Sequence, residues 1–249
     1  MARYQIIFSY DGTDFKGSQR QAVSRTVQGE IEKSLLKLGW SGKSIWVAGR
    51  TDTGTHAEGQ VAAFDLEWMY GVKRLQVALN AYLPRDIAVK SVTLVDDKFS
   101  PRFDAVSRRY RYRLFTSSVR DPLRERYAWR VWPPVTGMQN FSGIWEGRYN
   151  FDLYGSSPSR GGSTIRTVLS SQWYEMGDEW TYEIEADAFL YRMVRRLVYV
   201  QVLAGQGRLT EDILLQSLDN QADVRNKLKK EIPAGLASAA GLTLMEVKY

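Results

Sequence analysis

Residues 47–60 read VAGRTDTGTHAEGQ, a stretch in which one carboxylate, Asp52, stands between Arg50 and the pair Gly49 and Gly54. The chain has no cysteine and a single histidine, His56. A zinc site of the usual ligand types, a thiol nucleophile and a triad with a distant histidine are therefore all disfavoured. Asp52 becomes the first candidate for covalent chemistry, because an ionised, oriented carboxylate is a usable nucleophile. The glycines allow sharp turns that hold backbone N–H groups open toward a ligand. Arg50, two residues away, shares a face with Asp52 if the backbone is extended, and a cation there favours the charged acid. The bland alternative is a turn in which Thr51 and Asp52 merely hydrogen-bond the local backbone. The spacing from Gly49 to Gly54 also opens like a phosphate-binding P-loop. Thr55-His56 stands where Lys-Ser/Thr is required, which disfavours a phosphate-handling enzyme.

Such a loop needs rigid elements around it. Tyr4, Ile6, Phe8 and Tyr10 alternate with more polar neighbours, as in a strand. Thr26 is placed to cap a helix carrying Val27, Ile31, Leu35 and Leu38, with Gly39 as its stop. Residues 45–48 and 61–66 read as strands flanking the Asp52 loop. Val72, Leu75, Leu79 and Tyr82 mark a second helix ended by Pro84, and residues 87–95 a further strand. The order is β-α-β-β-α-β, the ferredoxin-like arrangement.

A less regular version follows. Residues 107–115 form a strand with Arg109, Arg111 and Arg113 on one side and Tyr110, Tyr112 and Leu114 on the other. Asp121-Pro122, Pro133-Pro134 and the Gly/Ser-rich residues 155–163 read as surface loops. Residues 172–176 and 180–186 flank Gly177-Asp178 as a hairpin. Phe189, Leu190, Met193, Val194, Leu197 and Val198 make an apolar helical stripe running toward Gly205, with Tyr191, Arg192 and Arg195 turned away from it. A short helix at 211–218 and a strand at 242–249 complete the pattern. The expected class is α+β: two ferredoxin-like (RRM-like) halves, 1–105 and 106–249, sharing a mostly antiparallel central sheet. Helices would lie on one face and the active-site cleft between the halves.

The chain has 249 residues and a formal net charge of +6. Between Arg102 and Arg130 lie nine arginines, no lysine and three acids, which carry a charge equal to that of the whole chain. Arginine binds phosphate bidentately and stacks on bases, so this segment points to a polyanion, most simply nucleic acid. The alternative is a solvated face whose arginines pair with acids elsewhere. The absence of cysteine, of a leader and of a long apolar run suggests a soluble cytoplasmic protein.

Several motifs, in order, resemble the bacterial-type tRNA pseudouridine synthase A family over the whole chain. Residues 10–19 (YDGTDFKGSQ) with Thr26-Val-Gln28 resemble its N-terminal signature, and residues 49–57 with Gly59-Gln-Val61 its catalytic motif. Leu79-Asn80, Leu83-Pro84, and Phe99 through Arg102 to Arg109-Tyr-Arg-Tyr112 match the next block. Residues 189–195 (FLYRMVR) resemble the motif with the family's active-site arginine, and Gly241-Leu-Thr-Leu244 with Val247 and Tyr249 its last strand. Two places depart: Ser18 stands where tryptophan is usual, and residues 147–151 (GRYNF) where Gly-x-His-Asp-Phe is common.

The resemblance implies an isomerase that converts uridine to pseudouridine in the anticodon stem-loop of tRNA (positions 38, 39 and 40), without metal, nucleotide or redox cofactor. Asp52 would be the nucleophile, attacking ribose C1′ or base C6. Tyr110 would stack on the flipped uracil, and Arg195 would pair with Asp52. Arg50, Thr51, His56, Gln19, Arg109, Arg111, Arg113 and Arg192 would contact RNA. The target uridine must be flipped out, because its reacting atoms are inaccessible in a stack. A homodimer holding one tRNA is the expected assembly. The competing reading is a noncatalytic RNA-binding protein of ferredoxin-like fold, which leaves the Asp52 loop without a purpose.

Overall fold

The computed structural model describes residues 1–157, 159, 161–219 and 221–249. Pro158 and Arg160, in the loop expected at 155–163, therefore lie outside the described residues. Along the chain run β1 (Ala2–Tyr10), α1 (Val27–Leu36), β2 (Trp46–Val47), β3 (His56–Leu66), α2 (Val72–Tyr82) and β4 (Ile87–Val95). They are followed by β5 (Ser107–Thr116), β6 (Trp129–Val131), β7 (Gly147–Asn150), β8 (Ile165–Met176) and β9 (Glu179–Ala186). Last come α3 (Met193–Gly205), α4 (Glu211–Gln216), α5 (Ala222–Glu231) and β10 (Leu242–Lys248). The protein is mixed α+β with mostly antiparallel pairing; the parallel pairs are β10 with β3 and β6 with β5. Among the described residues no helix is long and apolar enough to cross a membrane.

Contacts divide the chain into two units, Met1–Val106 with Thr243–Tyr249, and Ser107–Leu242. In the first, β1 lies between β4 and β3, antiparallel to both, while β2 and β10 pair along β3. The alternation read from β1 holds, with Tyr4, Ile6, Phe8 and Tyr10 all buried. Thr26 caps α1, its hydroxyl accepting the Gly29 N–H at 3.3 Å. Val27, Ile31 and Leu35 of α1 and Leu75 and Leu79 of α2 are sealed from solvent. Each such side chain contributes roughly 1.5–3 kcal/mol of burial.

Several expectations need correction. The helix from Val27 stops at Leu36, before Leu38, because Gly39 at φ +86° turns the chain and Trp40 N–H closes back on the Leu35 carbonyl. Strand β3 begins at His56, five residues before Val61, and the glycine within it is a fitting device. A Cβ on Gly59 would lie 2.4 Å from the Met245 carbonyl oxygen of β10, so only glycine admits that close approach. The final strand, read as the end of the second half, pairs with the start of β3.

In the second unit the strand order is β5-β9-β8-β7, with β6 on the other edge of β5. The element order departs from β-α-β-β-α-β, since the helices follow the strands. Tyr112, Leu114, Trp145, Phe151, Tyr182, Ile184, Leu197 and Val198 belong to one continuous core. The helix expected from Phe189 begins at Met193. Tyr191 is drawn into a bridge with Ser156, and Arg192 adopts the left-handed region at φ 65°. Helix α5 carried no apolar stripe strong enough to be read; its anchor is a buried arginine. Arg225 donates to the backbone carbonyls of Ser217, Asp219 and Asn150 and to the Asp152 carboxylate. The departure at 147–151 is accommodated as β7, where Asn150 Oδ1 accepts from the Asp152 N–H and the Thr164 hydroxyl.

Candidate active site

The Asp52 loop is held on every side within the first unit. Ala48 N–H donates to the Val61 carbonyl at 2.9 Å, and the buried Gln60 amide donates to the Gly49 carbonyl at 3.1 Å. Thr51 has its N–H on Ser18 Oγ at 2.8 Å, its carbonyl on the Ser18 N–H at 3.1 Å, and its Oγ1 2.7 Å from the Tyr10 hydroxyl. Beyond Asp52, the Thr55 N–H closes a turn on the Asp52 carbonyl at 3.1 Å, with Gly54 at φ +76° supplying the conformation a side chain would resist. Asp52 itself is half-buried, so its carboxylate is neither sealed from solvent nor loose in it.

The first-strand loop fits this turn closely. A Cβ on Gly12 would sit 1.9 Å from the Thr55 carbonyl oxygen, which no real contact tolerates. The Gly12 N–H donates to His56 Nδ1 at 3.0 Å, and His56 is 5% exposed. Asp11 Oδ1 lies 3.2 Å from the same ring nitrogen, so His56 is held between the loop backbone and a carboxylate. His56 is thus buried beside the first-strand loop.

The other first-unit residues fall in different places. Arg50 is exposed and, among the described residues, makes no ion pair, so the expected pairing with Asp52 through an extended backbone does not form. Residues 48–55 turn between β2 and β3 instead of continuing as a strand. Gln19 is exposed, next to Ser18 and to an Arg20 whose N–H is held by Gln28 Oε1 at 3.1 Å.

In the second unit, Tyr110 sits in β5 opposite Ile184 of β9, half-buried, with its ring edge-on to Phe189 at 5.1 Å. Arg195 is half-buried on the first turn of α3, and its Nε donates to the Ala237 carbonyl at 2.8 Å. The Ala237 N–H returns a bond to the Arg195 carbonyl at 3.2 Å. The same segment receives the hydroxyl of the buried Tyr112 on the Ser238 carbonyl at 2.7 Å. Burial pushes the Tyr112 hydroxyl well above its ordinary pKa, and the nearby Arg195 charge opposes that rise. Arg195 is therefore a clamped cation, not the water-facing one its helical phase suggests. Arg192 is exposed, its guanidinium 4.7 Å from the Tyr191 ring centre.

The arginine-rich strand is less cationic than its sequence. Arg111 donates twice to Glu183 Oε1, at 2.9 and 2.6 Å, and Arg109 approaches the other oxygen at 3.4 Å. Arg113 forms a two-point pair with Glu179, and Arg124 one with Asp178. Arg130 and Arg120 share Glu125. Period-two spacing put the arginines on one face, but cross-strand acids from β9 occupy much of that face.

Tyr10, Gly12, Ser18 and Gln60 were not recognised as parts of the site. Two signals existed for them. Tyr10 ends an inward-facing row with a polar tip that must find a partner, and Gln60 interrupts an otherwise apolar strand with a side chain that burial obliges to bond.

Comparison with known proteins bears on the whole of this chain. A family model described as tRNA pseudouridine synthase matches residues 144–249. The tRNA pseudouridine synthase A of Listeria monocytogenes (serovar 1/2a) is 38% identical, covering 100% of both chains. That of Methylacidiphilum infernorum is 37% identical over 99% of this chain and 95% of its own. That of Lactiplantibacillus plantarum is 34% identical over 99% and 94%. Identity at this level over at least 99% of the chain means that the chain belongs to the tRNA pseudouridine synthase A family.

Proposed function

We propose that this protein isomerises uridine to pseudouridine in tRNA, within the anticodon stem-loop at positions 38, 39 and 40. Full-length identity to enzymes of that name supports the reaction. The observation that carries the residue assignment is the braced loop around a half-exposed Asp52. In this reading Asp52 is the nucleophile, adding at ribose C1′ or at uracil C6. The N1–C1′ bond breaks, the base rejoins through C5, the C5 proton leaves and N1 takes a proton. Tyr110 stacks on the flipped uracil and takes part in removing the C5 proton, while Arg195 stabilises the Asp52 carboxylate. Flipping costs a few kcal/mol, which RNA contacts must offset.

Arg50, Gln19 and Arg192, all exposed, are assigned to RNA contact. Arg109, Arg111 and Arg113 are assigned there too, in competition with Glu183 and Glu179. Thr51 and His56 serve by shaping the loop. The β4-β1-β3-β2 order of the first unit supports its ferredoxin-like reading. The working assembly is a cytoplasmic homodimer on one tRNA, checked by light scattering with and without RNA.

The experiment is carbodiimide mapping of pseudouridine on unmodified tRNA transcripts, with the intact protein and Asp52→Ala. Pseudouridine at the predicted positions with the intact protein, and retained tRNA binding without product in the variant, is expected. Full product with Asp52→Ala would remove the nucleophile assignment. Equal binding and no turnover in both forms would favour a noncatalytic RNA-binding protein.

A further inference from the structure

Thr51, the residue before Asp52, has all three of its polar groups engaged. Its N–H and carbonyl meet Ser18 at 2.8 and 3.1 Å, and its hydroxyl meets Tyr10 at 2.7 Å. Both partners are themselves tied into the core. Tyr10 ends β1 on its inward face and is 4% exposed. Ser18 is also 4% exposed, and its carbonyl accepts the Gln28 N–H of α1 at 2.9 Å. Gly17 lets this strand of chain pass close to the loop: at φ +90°, a Cβ there would come 3.1 Å from the Thr51 carbonyl oxygen. On the far side of Asp52, the bond from Thr55 N–H to the Asp52 carbonyl fixes the other peptide plane. Both peptide groups flanking Asp52 are thus held.

We propose that Tyr10 and Ser18 are positioning residues, which grip Thr51 by its side chain and its backbone and so set the direction of the Asp52 carboxylate. The proposal rests on Asp52 being the nucleophile. Neither hydroxyl touches the reacting atoms; they act through Thr51. Serine suits the position because a short hydroxyl can accept the Thr51 N–H while its own backbone holds the Thr51 carbonyl. Tyr10 suits the other because its ring belongs to the core and only its tip reaches the loop. Burial pushes that hydroxyl up to about 12, so it stays protonated.

The test is single-turnover pseudouridine formation on a tRNA transcript, with tRNA Kd and unfolding temperature measured alongside, for Tyr10→Phe, Ser18→Ala, Thr51→Ser, Thr51→Val and Tyr10→Phe/Thr51→Val. A misplaced reacting group costs up to roughly 100-fold per ångström, so Tyr10→Phe and Ser18→Ala should lower the rate by about tenfold or more. The tRNA Kd should stay within about twofold, because these hydroxyls do not contact RNA. Thr51→Ser should keep the rate, Thr51→Val should lose it, and the double variant should be no slower than Thr51→Val alone, since both remove one interaction. Wild-type rates in Tyr10→Phe and Ser18→Ala would overturn the proposal. So would rate losses matched by equal losses of tRNA affinity, or Thr51→Ser as slow as Thr51→Val. Should Ser18→Ala not fold, Tyr10→Phe, which keeps the ring in the core, decides alone. Asp52→Ala separates the two readings: an active Asp52→Ala refutes the nucleophile, whereas an inactive one beside a fully active Tyr10→Phe refutes only the positioning role.

Discussion

Replacing Gly12 by alanine adds one methyl group where the loop before α1 passes the end of the Asp52 turn. That methyl would lie 1.9 Å from the Thr55 carbonyl oxygen, 2.5 Å from its carbon and 3.1 Å from its nitrogen. Gly12 is not among the positive-φ glycines, so alanine can adopt its backbone and the whole cost is steric. Relief needs more than about 1 Å of movement, since real Cβ contacts stay beyond 3.0 Å. Neither side yields easily. Thr55 is 1% exposed, bonds to the Asp52 carbonyl and leads into β3, where His56 lies opposite Thr243. Moving Gly12 instead breaks its N–H bond to the buried His56 ring.

Overpacking costs about 1–3 kcal/mol and a stranded buried polar group about 1–3 kcal/mol more, so Gly12→Ala should cost roughly 2–6 kcal/mol in total. For a chain of this length that lowers the unfolding temperature by roughly 4–24 °C. Because the displaced segment adjoins Asp52, turnover should fall up to about 100-fold at temperatures where the variant is still folded. Circular dichroism melting reads the first, and release of tritium from C5-labelled uridine in tRNA reads the second. A variant that melts with the wild type and turns over at its rate would show that the approach is not rigid, and the argument from Gly12 to Asp52 would fail.

Glu183→Gln should free Arg111 and Arg109 for phosphate. If β5 faces RNA, tRNA affinity at low salt rises and the slope of log K against log salt steepens by about 1; an unchanged slope would mark that face as ordinary surface. Alkali should destabilise the fold. Burial pushes Tyr10 from 10.0 up to about 12, and Tyr112, Tyr154 and Tyr182 are also raised. The unfolded chain therefore loses these protons first, and stability present below pH 10 is lost progressively above it, by up to about 1.4 kcal/mol per pH unit for each tyrosine. Denaturant titrations at pH 8 to 11 measure this; for Tyr10→Phe the loss should be shallower, and an identical slope would contradict a buried Tyr10 hydroxyl.

Much of this protein was legible in local pattern. The inward row from Tyr4 to Tyr10, the Thr26 cap and the Leu75 and Leu79 stripe need only periodicity and capping chemistry, and they stand where expected. The loop holding Asp52 was equally plain, because its glycines and its lone acid are a matter of residue type. What the chain alone could not decide was every relation between residues distant along it. Glu183 neutralises Arg111 from a strand 72 residues away, so a face that is basic in sequence is an ion-paired ladder in space. Ser18 and Tyr10 reach Thr51 across 33 and 41 residues. Arg195 is half-buried and held by the Ala237 carbonyl, 42 residues on, which accepts its Nε–H. Gly59 is demanded only by β10, whose Met245 carbonyl passes over it. Local propensity is written in neighbours, whereas packing, pairing and the fit of one backbone against another depend on which segments the folded chain brings together, and only the tertiary structure holds that information.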